Sequence, residues 1–110
     1  EPKTVHGTIH GPGYSGDKGI GAPFKIKKNV ADDFHVFSTE WSENKIEFFV
    51  DGKRYKTITP KDLPVGKKWV YDHPFFMILN FAIGGPWGGK PDSTSVFPQE
   101  MLVDYVRVYQ

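Results

Sequence analysis

Three side chains that can each donate and accept a hydrogen bond stand at alternate positions near the start of the 110-residue chain: His6, Thr8 and His10, with Val5, Gly7 and Ile9 between them. A β-strand sends successive side chains to opposite faces, so a strand here carries two imidazoles and a hydroxyl on one face. Such a face makes a poor core and suits the floor of a site that binds sugar hydroxyls. The competing reading is histidines satisfied at a surface or between sheets. The run Gly11-Pro12-Gly13-Tyr14-Ser15-Gly16 then breaks the strand into a loop. Tyr14 in that loop is a candidate ligand contact.

Carboxylates are the next group to test. Hydrolysing a glycosidic bond with retention needs two carboxyl groups about 5–5.5 Å apart. Glu40 and Glu43 are separated by Trp41-Ser42, Glu43 and Glu47 flank a turn, and Asp32-Asp33 is a loop pair. No Glu-x-Asp-x-Glu row aligns three carboxylates on one strand face. The expectation is a chain with no catalytic residue of its own, inactive alone. His6 and His10 lack a third ligand at recognisable spacing, so no zinc site is expected.

The elements that must position these residues read as all-β. The chain has 12 glycines and 9 prolines, spread between short alternating runs, and no repeat or linker. Strands are expected near Thr4–His10, Pro23–Lys28, Phe34–Trp41, Lys45–Val50, Lys53–Thr59, Pro74–Ala82 and Leu102–Tyr109. Asp51-Gly52 supplies the positive φ angles of a tight hairpin turn. Thr59 followed by Pro60 predicts one short helical turn, with Thr59 as its N-cap. The nearly continuous apolar run Phe75–Ile83 reads as a strand covered on both faces, or lined with ligand-facing rings on one. Central strands need neighbours on both edges, and about seven strands leave several edges open.

Composition narrows the partners. Fourteen basic and thirteen acidic residues give a net charge of +1, which argues against nucleic acid as a partner. Lys27-Lys28 and Lys67-Lys68 read as isolated, solvated pairs. No apolar run approaches the roughly 18 residues of a membrane span, so no membrane partner is expected. There is no cysteine, hence no disulfide and no thiolate metal site. Aromatic residues make up 15% of the chain, which fits both a sandwich core built from large rings and a carbohydrate binder.

The string Val5-His6-Gly7-Thr8-Ile9-His10-Gly11-Pro12-Gly13-Tyr14-Ser15-Gly16 resembles the strand just after the catalytic strand in laminarinase-type enzymes of glycoside hydrolase family 16. The resemblance continues through Phe34-His35-Val36-Phe37-Ser38-Thr39-Glu40-Trp41 and Ile46-Glu47-Phe48-Phe49-Val50-Asp51-Gly52. It extends to Phe76-Met77-Ile78-Leu79-Asn80-Phe81-Ala82-Ile83-Gly84-Gly85-Pro86-Trp87 and to the closing Asp104-Tyr105-Val106-Arg107-Val108-Tyr109. Single motifs of this kind are weak, whereas five in the correct order are strong. In the family the acidic motif, Glu-x-Asp followed by Glu, lies immediately upstream of the first string. Here only Glu1 to Thr4 precede it. Residues 1–110 are therefore expected to be the C-terminal portion of one catalytic domain.

The resemblance implies a concanavalin-like β-jelly-roll sandwich with a concave face holding a glucan. It implies endo-hydrolysis of β-1,3- or mixed β-1,3/1,4-glucans with retention, in a secreted protein. His6, Thr8, His10 and Asn80 match cleft positions, and Trp87 on its Gly-rich loop matches a stacking platform. Tyr14 lies at the cleft edge, and Trp41 is expected to be structural. Asp104 matches a ligand of a structural calcium ion whose other ligands come from the N-terminal half. The implied partners are a β-glucan polysaccharide or oligosaccharide, together with that N-terminal half or a second copy of the chain. A non-catalytic, lectin-like glucan-binding module and a plain structural β-fragment are the competing readings.

Overall fold

The computed structural model describes residues 2–110. They form two compact units, residues 2–75 and Phe76–Gln110.

The first unit is built from five antiparallel strands: β1 (Thr4–Ile9), β2 (Ile20–Lys25), β3 (Phe37–Ser42), β4 (Lys45–Val50) and β5 (Lys53–Ile58). β1 and β2 make one sheet, and β3-β4-β5 make the other as a meander. Asp51 and Gly52, with φ of 50° and 75°, turn β4 into β5 with the two left-handed residues a tight hairpin needs. The helical turn expected after Thr59 is a 3-10 turn at Pro60–Asp62, where the Asp62 carboxylate accepts the Thr59 N–H at 2.7 Å.

The two sheets pack face to face. Phe24 of β2 stacks on Tyr55 of β5 with ring centroids 5.0 Å apart. A Cβ on Gly7 would lie 2.5 Å from both Phe48 Cγ and Tyr55 Oη, so only glycine lets β1 approach the facing sheet this closely. Ile9, Tyr14, Ile46, Ile58 and Trp69 form the buried cluster. A bulge serves this packing. Phe48 pairs with Lys56 and Phe49 with Arg54, leaving Tyr55 as the extra residue. The extra residue shifts the phase of β5, so that Tyr55 and Ile58, three apart, both face inward.

Two strand starts differ from expectation. β2 starts at Ile20 rather than Pro23, because Gly19 and Gly21 make room for a neighbour's side chains instead of ending the strand. β3 starts at Phe37 rather than Phe34, because Asp51 Oδ1 takes the Val36 N–H at 2.9 Å and Asp33 Oδ1 takes that of Phe34 at 2.9 Å.

The second unit contains a single helical turn, α1 (Gly85–Gly88), and no strand. The strands expected at Pro74–Ala82 and Leu102–Tyr109 are thus corrected. An apolar sequence supplies a strand's side chains, but the ladder also requires a partner edge. No described segment pairs with either stretch. Their rings and aliphatic side chains stand in solvent, Phe76 at 85% exposure and Val108 at 72%.

Candidate functional site

The outward face of β1 carries the three polar residues singled out above. Gly7 and Ile9 are buried, His6 and His10 are exposed, and Thr8 is half-buried, as alternation requires. Across the ladder, His6 faces Pro23 and Thr8 faces Gly21. A Cβ on Gly19 would fall 2.5 Å from the His10 ring and 2.7 Å from Thr8 Cγ2, and one on Gly21 would fall 2.6 Å from Thr8 Oγ1. The two glycines therefore leave the space over β2 into which Thr8 and His10 lean. The result is a low polar floor, with side chains lying along the sheet rather than standing up from it.

The floor is fixed at its far end by Tyr71. Its hydroxyl accepts the backbone N–H of His10 at 2.8 Å and donates to the His10 carbonyl at 2.6 Å. Burial raises the Tyr71 hydroxyl pKa above its ordinary value, which keeps the donating proton in place. Tyr71 belongs to a run of rings at Trp69, Tyr71, His73 and Phe75. Tyr71 stacks on Phe75 at 5.5 Å between centroids, and Trp69 meets Tyr71 edge-on at 5.3 Å. Trp41 Nε1 donates to the Tyr71 carbonyl at 2.9 Å, and its ring meets Phe75 at 5.4 Å. An aromatic patch, half exposed at Trp41 and Phe75, thus adjoins the His10 end of the floor. Tyr71 carries no motif of its own, although rings alternating at 69, 71, 73 and 75 are a legible signal in the sequence.

Tyr14 is corrected. It is fully buried, and its hydroxyl donates to the Lys68 carbonyl at 3.0 Å. Gly11-Pro12-Gly13-Tyr14 closes on itself, with Tyr14 N–H reaching the Gly11 carbonyl at 3.0 Å and Gly13 at φ 83°. A Cβ on Gly11 would lie 2.3 Å from the Tyr14 ring, so the loop glycine admits the ring to the core.

Register sets Glu40 directly opposite Glu47, a pairing not weighed from the sequence. Glu47 is already committed. It is buried, with Lys45 Nζ at 2.8 Å, Arg54 Nη1 at 2.7 Å and Thr57 Oγ1 at 3.1 Å. The Lys45 hydrogen bond, joined by those from Arg54 and Thr57, outweighs burial and holds its pKa below the ordinary value. A carboxylate so enclosed neither donates a proton to a leaving group nor reaches a sugar.

Asn80, Trp87 and Asp104 belong to the second unit and are exposed there. Trp87 stands on α1 at 82% exposure. No group of three acidic, histidine or cysteine side chains able to hold a cation occurs among the described residues.

Comparison with known proteins places this arrangement. The family model described as glycosyl hydrolases family 16 matches residues 1–107. The chain belongs to glycosyl hydrolases family 16. Within the family, it is 38% identical over 115 residues to a beta-glucanase of Rhodothermus marinus, covering 99% of this chain and 40% of that protein. It superposes on the catalytic domain of an endo-1,3-beta-glucanase (laminarinase) from Thermotoga petrophila RKU-1 with a TM-score of 0.83 and 46% identity, covering 88% of this chain and 40% of that one. Against an endo-beta-1,3-glucanase from Pyrococcus furiosus the TM-score is 0.84 at 47% identity, covering 89% of this chain and 39% of that one. The fold class is thus that of the family's β-jelly-roll sandwich, and the chain spans about 40% of the length of these relatives.

Proposed function

We propose that this chain is part of the catalytic domain of a laminarinase-like endo-β-1,3-glucanase and supplies glucan-binding residues rather than the catalytic carboxylates. The observation that carries the reading is the floor of His6, Thr8 and His10 over Gly19 and Gly21 in a member of this family. Sugar hydroxyls need partners that both donate and accept, and these three side chains provide them on one strand face. The backbone clasp from Tyr71 keeps the end of that row in place, so binding need not order it. Trp87 offers an exposed ring for stacking, and Asn80 an exposed amide.

Retaining hydrolysis needs two carboxyl groups about 5–5.5 Å apart, one of them protonated. In this reading they come from polypeptide outside these residues, because Glu47, the carboxylate that register sets opposite Glu40, is enclosed by its cations. Calcium, in the same reading, depends on ligands that join Asp104 from that other polypeptide.

The test is titration of the chain with laminari-oligosaccharides, followed by NMR of the imidazole signals. Shifts at His6 and His10 are expected, with no release of reducing sugar from laminarin. Unmoved imidazoles at saturating sugar, or turnover by the purified chain, would sink the proposal.

A further inference from the structure

The turn between β4 and β5 carries a bond open to chemistry. Asp51-Gly52 is the one Asp-Gly sequence in the chain, and there is no Asn-Gly. Glycine leaves the amide nitrogen after an aspartate unshielded by any side chain. That nitrogen can attack Asp51 Cγ. A new N–Cγ bond forms and a Cγ–O bond breaks. The oxygen leaves as water, taking the amide hydrogen and the proton of the carboxylic acid, and a five-membered succinimide results. Water then adds back at one of its two carbonyls. Addition at Cγ breaks the new bond and restores aspartate. Addition at the main-chain carbonyl breaks the original peptide bond and leaves isoaspartate, whose chain runs through Cβ and Cγ. Overall no atom is gained or lost.

The fold holds this carboxyl at both oxygens. His35 Nδ1 lies 2.8 Å from Oδ2, and Oδ1 accepts the Val36 N–H at 2.9 Å. A carboxylate only accepts, so Nδ1 carries the proton. The Asp51 N–H donates in turn to the Val36 carbonyl at 2.9 Å. Residues 35 and 36 thus grip Asp51 at three points. Bulk does nothing to close the turn, since a Cβ on Gly52 would meet no atom within 4 Å. Ring closure needs Cγ to swing onto the Gly52 nitrogen, which pulls both oxygens off their donors. It also needs the acid form, whereas the His35 bond, joined by that of Val36, lowers the carboxyl pKa and keeps the anion.

His35 has little else to do as a polar group. Its side chain is 15% exposed, and its Nε2 is buried with no hydrogen-bond partner among the described residues. An apolar ring would fill the same space without an orphaned nitrogen. What the imidazole adds is the grip on Asp51. We propose that Asp51-Gly52 is an isoaspartate-forming site and that His35 is the positioning residue that holds it closed in the folded chain. The inference does not depend on the glucan-binding reading. Conversion puts one extra backbone carbon into a turn that joins Val50 to Lys53 through two residues, and so releases β5 from β4.

The experiment ages the full 110-residue chain at neutral pH, in buffer and in urea. Tryptic digestion gives the peptide Ile46–Lys53, in which isoaspartate is measured by chromatography and electron-transfer fragmentation. The wild-type chain should form it at least about tenfold more slowly in buffer than in urea, the factor one charge-assisted hydrogen bond supplies. His35→Phe keeps a ring and removes the donor, and should bring the folded chain close to the rate in urea. His35→Asn sets an amide N–H where Nδ1 stands and should keep wild-type protection. Tyr71→Phe weakens the fold elsewhere and should keep it too. Circular dichroism reports whether each variant is folded. Equal wild-type rates in buffer and urea overturn the proposal, as does a folded His35→Phe chain that ages like wild type. Acceleration by Tyr71→Phe to the level of His35→Phe assigns the protection to global stability and also overturns it. If His35→Phe does not fold, His35→Asn decides: wild-type protection supports the Nδ1 donor, and ageing at the urea rate while folded overturns it.

Discussion

Tyr71 treats His10 as a strand partner would: one phenolic oxygen accepts the His10 N–H at 2.8 Å and returns its own proton to the His10 carbonyl at 2.6 Å. A residue 61 positions away thus stands in for the next rung of a ladder, just beyond the end of β1. The backbone groups of His10 are satisfied without a neighbouring strand, and its imidazole is left to lie over Gly19.

Tyr71→Phe removes the clasp and keeps the ring stack on Phe75. Two hydrogen bonds are lost and the His10 backbone is left to water, so thermal stability should fall by about 2 kcal/mol. Oligosaccharide affinity should fall as well, because His10 must then be ordered on binding. Urea unfolding and titration of the same variant check the two effects. An unchanged midpoint would show that the clasp does not hold the floor.

Gly7→Ala tests the sandwich. The added methyl would meet Phe48 and Tyr55 at 2.5 Å, inside any van der Waals contact. Forcing the sheets apart should cost about 1–3 kcal/mol. Gly52→Ala, which meets no atom, should cost only the strain of φ 75°, roughly 1 kcal/mol. Equal losses from the two variants would remove the argument for close sheet packing at Gly7.

Glu47 sets an acid limit on stability. Lys45, with Arg54 and Thr57, lowers its folded pKa below the ordinary 4.5. The folded state therefore binds that proton less readily than the unfolded chain. The contribution is complete above the unfolded value and is lost as pH falls through the lower folded one. Asp51, lowered by His35 and the Val36 N–H, and Asp62, lowered by Thr59, act in the same direction. The melting temperature should drop as pH falls below about 4.5, where unfolded carboxylates begin to protonate. Glu47→Gln should melt lower at neutral pH, because Lys45 and Arg54 lose their anion, and should show a shallower acid decline. A decline of unchanged slope would assign the acid limit to the aspartates alone.

What was legible in the sequence was local. Lys45–Val50 forms the strand its alternation predicts, Asp51-Gly52 turns it, and Thr59-Pro60 starts a helical turn, because each depends on neighbours a few residues away. The glycines around Tyr14 read as exposure in the sequence, whereas the ring is fully buried. Gly11 is instead the gap through which the ring enters the core, and its hydroxyl partner, Lys68, is 54 residues away. Thr8 and Gly21 come together only through the register of β1 on β2. The apolar runs Pro74–Ala82 and Leu102–Tyr109 have strand-like side chains, but an edge to pair with is a property of a neighbour, and no local pattern reveals whether one is there.

Trp87→Ala separates a binding ring from a packing one. The side chain is 82% exposed on a four-residue helical turn framed by glycines at φ 80° and 79°. Nothing of that exposure contributes to a core, so the unfolding midpoint should move by no more than about 0.5 kcal/mol, as for other surface substitutions. Stacking of a flat sugar face on an indole should by contrast be worth on the order of 1–3 kcal/mol, by analogy with bases on aromatic rings. The affinity for laminari-oligosaccharides should therefore fall at least several-fold while the melt is unchanged. Trp69→Ala is the control. That ring is in the buried cluster and its Nε1 donates to the Glu43 carbonyl at 2.8 Å, so its removal should cost roughly 3–5 kcal/mol of stability. If Trp87→Ala lowers the midpoint as Trp69→Ala does and the folded fraction binds normally, Trp87 is a packing residue and its stacking role is wrong.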